Sequence, residues 1–61
     1  MMNLADLGTV LNDARNQILR AQITMQDEGN PDSMKLARGH AIAAYNLLSV
    51  FMALTEQEAD E

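Results

Sequence analysis

A single proline divides this chain into two stretches that share one rhythm. Pro31 lies in Asp27-Glu28-Gly29-Asn30-Pro31-Asp32-Ser33, the one strong break in the sequence. Before the break, apolar residues recur at Leu4, Leu7, Leu11, Ala14, Ile18, Ala21 and Met25, in alternating steps of three and four. After it the same steps run through Met34, Ala37, Ala41, Ala44, Leu48 and Phe51, with Thr55 next in phase. Steps of three and four keep one face of an α-helix apolar and define a heptad seam. Strands require alternation every second residue, which is nowhere sustained. The chain is therefore constrained to two helices joined by a short turn, an all-α fold.

The ends of the helices are also signalled. Asn3 suits the cap of the first, and Asp6 favours its positive end. Gly29 suits the left-handed position just past a helix end. Asn30 and Pro31 suit the cap and first position of the next helix. The expected domain is a single unit, with helix 1 about 4–27, turn 28–30, helix 2 about 31–56 and an acidic tail 57–61. That tail opposes the helix dipole and is expected to fray. Its plainer role is solubility, and the alternative is an acidic peptide that docks on a partner.

Folding at Gly29 brings the seams together as an antiparallel hairpin. Ile18 is expected to face Ala41, Ala21 to face Ala37, Leu11 to face Leu48 and Leu7 to face Phe51. Each helix would be about 36 Å long at 1.5 Å per residue. The hairpin leaves much apolar surface over. Val10, Leu19 and Ile23 lie off the first seam, and Ile42, Leu47, Val50, Met52 and Leu54 lie off the second. From 41 to 54 the second helix is apolar almost all round, the mark of a buried helix. A chain of 61 residues is short for a stable core and commonly needs a disulfide, a metal or self-association. It has no cysteine and one histidine, so the third is expected: a four-helix bundle or higher even oligomer. Ile42, Leu47, Val50 and Leu54 are the expected oligomer interface.

Composition narrows the function. Nine acids against four bases give a net charge of −5, which disfavours duplex DNA as a partner. The longest nearly apolar run, 41 to 54, is too short to span a bilayer. No charged-then-apolar leader opens the chain, and the expected setting is cytoplasmic. No pairing of nucleophile and base, no paired catalytic carboxylates and no glycine-rich phosphate loop is present. The expectation is a binding protein, not an enzyme, with no cofactor and no metal.

All four positive residues, Arg15, Arg20, Lys35 and Arg38, lie in the half nearest the turn. Arginine forks suit phosphate, so these residues are the candidate ligand charges. Their plainer role is to pair with Asp13, Asp27, Glu28 or Asp32 in solvent. Gly39 sits within a helical pattern, where glycine costs about 1 kcal/mol against alanine, and is a candidate shelf for a ligand or a neighbouring helix. Tyr45 is a candidate stacking partner, or else an aromatic at the core edge. His40 reads as an interface or surface histidine.

The stretch Ala37-Arg38-Gly39-His40-Ala41-Ile42-Ala43-Ala44, after a turn with Pro31 and Ser33, resembles the second helix of small phage proteins that sequester cyclic-oligonucleotide signals of the CBASS defence system. The resemblance covers about 15 residues. It implies a class: a symmetric helical oligomer that binds anionic nucleotides between protomers, in phage counter-defence. It assigns no binding residue here, since this chain has no counterpart of the family's N-terminal extension. The hairpin architecture is also similar to the plasmid Rop-type RNA-binding dimer, at the level of fold alone. Three functions follow in order of support. The first is an oligomeric protein that sequesters an anionic, nucleotide-type ligand. The second is a protein–protein module, an inhibitor or adaptor that meets a host protein through the apolar face of helix 2. The third is Rop-like RNA binding by the amides and arginines of helix 1.

Overall fold

Asn3 starts the structure as its side chain suggests. Its Oδ1 accepts the Asp6 backbone N–H at 2.8 Å, satisfying one of the donors that a helix start leaves free. The computed structural model describes residues 3–59, and side chains up to 56. Helix α1 spans Leu4–Met25 and α2 spans Ser33–Ala59, and the two pack against each other. No strand occurs among the described residues.

The connection uses residues 26–32. The Gln26 and Asp27 N–H groups bond to the carbonyls of Ile23 and Thr24 at 3.1 and 3.2 Å, which tightens the last turn of α1. The expected left-handed glycine is not used: no described glycine has a positive φ. Successive tight turns reverse the chain instead. α2 begins at Ser33, so Asn30 and Pro31 lie in the connection and not at the expected cap and first helical position; the Asn30 Oδ1 accepts the Asp32 N–H at 2.9 Å. The Asn30 carbonyl takes the Ser33 N–H at 3.1 Å, so α2 begins with a narrow turn. At the other end α2 runs on through Ala59, past the expected boundary at 56. Thr55 Oγ1 bonds back to the Phe51 carbonyl at 2.8 Å there. Residues 60 and 61 of the acidic tail lie outside the described residues.

The seam between the helices is turned relative to the expected one. Leu7, Ala14 and Ala21 are in it, as are Ala37, Ala44 and Phe51. Between them, however, stand Val10, Gln17 and Thr24 on α1, and Ser33, His40 and Leu47 on α2, each more covered than the next residue along. Leu11, Ile18 and Leu48, expected in the seam, remain 40%, 45% and 40% exposed. Met25, Met34 and Ala41 are exposed as well. At 100° per residue the change is a rotation of each helix by about 50°. The fully buried side chains are small: Ala14 at 1%, Ala44 at 3% and Ala37. Alanine on both sides lets the two backbones approach, and a polar pair closes the middle of the seam. His40 Nδ1 and Gln17 Oε1 are 2.8 Å apart, the ring N–H donating to the amide oxygen.

The result is long and thin, 50 × 16 × 12 Å with a radius of gyration of 14.4 Å. A compact chain of this length has a radius near 10.5 Å, roughly. The accessible surface is 4930 Å². A compact monomer of 6.7 kDa exposes roughly 3,900 Å².

Candidate functional site

The rotation of the seam decides what each edge of the hairpin carries. Residues seven apart on a helix share a face. In an antiparallel pair, the position one step past the seam on α1 lies on the same edge as its equivalent on α2. One edge is thus built from Leu4, Leu11, Ile18 and Met25 on α1 with Met34, Ala41, Leu48 and Thr55 on α2. None is charged, and seven of the eight are apolar. The opposite edge carries Asp6, Asp13 and Arg20 on α1 with Leu36, Ala43 and Val50 on α2. Half of its positions are charged.

Each edge holds an open groove. On the charged side, near the turn, a groove of about 650 Å³ is lined by Gln17, Asn30, Asp32, Lys35, Gly39 and His40, among others. It gathers an ammonium, two amides, an imidazole and one carboxylate. Gly39 forms part of its wall, and a Cβ there would meet nothing within 4 Å. The second groove, about 880 Å³, runs along the apolar side past Tyr45, Leu48, Ser49, Met52 and Thr55. Tyr45 is 70% exposed, its ring available for stacking.

The six candidate ligand residues are divided between these places. Lys35 and Gly39 line the turn-proximal groove. Arg20 belongs to the same edge by its heptad position, at the level of Ala37 given the Gln17–His40 pair. Arg15 and Arg38 lie toward the flanks of the apolar edge, and Tyr45 lines the other groove. In the sequence Gln17 is only one of several amides of helix 1, and Asn30 suits only a cap. The signal for Gln17 is that it occupies a seam position as a polar residue. Of the expected oligomer-interface residues, Ile42, Val50 and Leu54 are half-exposed, whereas Leu47 is turned into the seam within the hairpin. Leu48 takes the outward place beside it.

No group of three or more potential metal ligands occurs among the described residues. No helix among them is long and apolar enough to cross a membrane. Every buried side-chain nitrogen or oxygen among them has a hydrogen-bond partner. What the fold defines is a two-helix hairpin with an uncharged, largely apolar edge and an edge that mixes acidic, basic and apolar residues. Set against known protein families, curated proteins and solved structures, the chain matches none.

Proposed function

We propose that this chain is a non-catalytic binding module that works as a homo-oligomeric helical bundle and captures an anionic, nucleotide-type ligand. The observation that carries the reading is the surface left uncovered. The hairpin exposes roughly 1,000 Å² more than a compact monomer of its mass, much of it as large apolar side chains such as Leu4, Ile18, Met34 and Met52. Large exposed apolar side chains gathered along one edge mark an interface.

The ligand class is supported by the turn-proximal groove. Lys35 suits a phosphate as a point charge. The Gln17 and Asn30 amides, and the Asp32 carboxylate, suit the donors and acceptors on a base edge. Gly39 leaves room for a flat group against the helix. The resemblance of Ala37–Ala44 to nucleotide-sequestering phage proteins favours the same class, and a cytoplasmic regulator of mobile-element origin fits it. Titration calorimetry with cyclic dinucleotides as probes tests the reading. Binding should weaken about tenfold or more in Lys35→Gln, the loss of one charge-assisted contact. Absence of binding for every cyclic and linear dinucleotide, with the oligomer intact, would refute the ligand class.

A second reading has its own observation. The groove past Tyr45, Leu48 and Met52 suits an apolar helix of a foreign protein. On that reading the chain is an adaptor or inhibitor that stays monomeric alone and forms a defined complex with a host protein.

A further inference from the structure

We infer that the uncharged edge of the hairpin, centred on Leu11, Ile18, Ala41 and Leu48, is where a second copy of this chain docks, leaving the mixed, charge-bearing edge facing outward. The inference rests on the oligomeric reading above and goes further by assigning the face and the partner.

The argument begins with the width of the apolar arc on α1. A helix that packs against one neighbour as a coiled coil needs apolar residues at two positions of the heptad. Here the two seam positions are occupied by Leu7, Val10, Ala14, Gln17, Ala21 and Thr24. A third position carries Leu4, Leu11, Ile18 and Met25 without interruption. Since Gln17 and Thr24 interrupt the second seam position, this unbroken row is the largest apolar strip on α1, and it lies outside the contact with α2. Its antiparallel mate supplies Met34, Ala41 and Leu48 at the equivalent position, on the same edge. The seam makes the same point from inside. Its most buried side chains are alanines, with a Gln17–His40 pair at its middle, while Leu4, Leu11, Ile18 and Leu48 stand outside.

The occupant follows from the symmetry and size of the edge. Each helix of the antiparallel pair contributes one apolar row at the same heptad position, so the strip fits a copy of itself turned about a two-fold axis. Laying two such strips together gives four helices around a common apolar core. The edge offers Leu4, Leu11, Ile18, Met25, Met34 and Leu48, six large apolar side chains each at least 40% exposed, of the kind that fills the centre of an interface between copies. Charge points the same way. Two chains of net charge −5 repel, and the approach that keeps acids apart is through the edge that has none. The opposite edge would bring Asp6 and Asp13 toward their counterparts.

Sedimentation velocity on the full chain, across micromolar concentrations, tests the assignment. The unmodified chain is expected as an even oligomer. Leu11→Gln with Leu48→Gln should weaken it about 100-fold or more, from the loss of two buried leucines. Leu36→Gln with Val50→Gln, on the other edge, should leave it unchanged. A monomeric unmodified chain would overturn both this inference and the reading beneath it. An odd copy number, or an oligomer sensitive to the second pair, to both pairs or to neither, would overturn the edge while leaving self-association standing. Glutamine keeps helix propensity close to leucine's, but dissociated hairpins can also unfold, so a milder probe is needed. The chain has no cysteine. Ala41→Cys is exposed in the single hairpin and should react with a charged maleimide at least tenfold more slowly than Asn12→Cys in an oligomer of native size. Equal rates would overturn the proposal.

Discussion

Replacing Gly39 with alanine separates the demands of the helix from those of a ligand. Gly39 lies inside α2 with a negative φ, and a Cβ built on it finds nothing within 4 Å. The substitution therefore introduces no clash and no strained backbone. It removes the entropy that glycine loses on entering a helix, about 1 kcal/mol. In a domain of this size that corresponds to a rise in Tm of about 4–8 °C. Gly8 in α1 has the same open surroundings and serves as the matched control, with the same expected gain. The assay is thermal and urea unfolding followed by far-UV circular dichroism, at one fixed protein concentration, since association adds to stability. Gly39 also lines the turn-proximal groove, so Gly39→Ala should weaken nucleotide binding while it stabilises the fold, and Gly8→Ala should do only the latter. A loss of stability in Gly39→Ala, with the expected gain in Gly8→Ala, would refute the reasoning. It would mean that a backbone from another copy presses against this stretch of α2.

Other substitutions probe the remaining parts of the hairpin. Asn3→Ala removes the acceptor held 2.8 Å from the Asp6 N–H and should cost about 1 kcal/mol, read from the urea midpoint, with Asn3→Ser restoring most of it. Ala14→Leu adds a large side chain at the most buried position and should cost about 1–3 kcal/mol. The same change at exposed Ala5 should be close to neutral. The Gln17–His40 pair, measured by a double-mutant cycle with Gln17→Ala and His40→Ala, should show a coupling of about 0.5–1.5 kcal/mol. A coupling of zero would mean that the 2.8 Å contact contributes nothing to holding the seam in phase.

The two helices were legible because their evidence is local. Asn3 and the steps of three and four act over a few residues, and both helices form, although α2 starts at Ser33, two residues past Pro31. The phase of the seam was harder to read. Ala14, Ala21, Ala37 and Ala44 belong to either of two neighbouring seams, one through Leu11, Ile18 and Leu48, the other through Val10, Gln17 and Leu47. Hydrophobicity alone favours the first, because it assigns the large aliphatic residues to the interior of one hairpin. That preference assumes a helix with a single neighbour. The pair Gln17 and His40 decides for the second, and their meeting depends on a separation of 23 positions that no local pattern reveals. The turn differs from expectation in extent and in mechanism: it takes residues 26–32, not 28–30, and consecutive tight turns reverse the chain without a left-handed Gly29.

The same rotation links fold to site. Had Leu11, Ile18 and Leu48 closed the seam, the hairpin would have buried its best apolar residues and left Gln17 and His40 at an edge in water. Turned as it is, the polar pair sits half-covered at the floor of the turn-proximal groove, and the leucines and isoleucine line the far edge. One rotation of about 50° thus sets two faces at once, an uncharged apolar row and a groove of mixed polar residues. The basic residues divide along the same line: Arg20 and Lys35 stand on the side of the groove, Arg15 and Arg38 beside the apolar row. Association through the uncharged edge would keep the groove open on each copy and bring Arg15 and Arg38 to the margins of the shared interface.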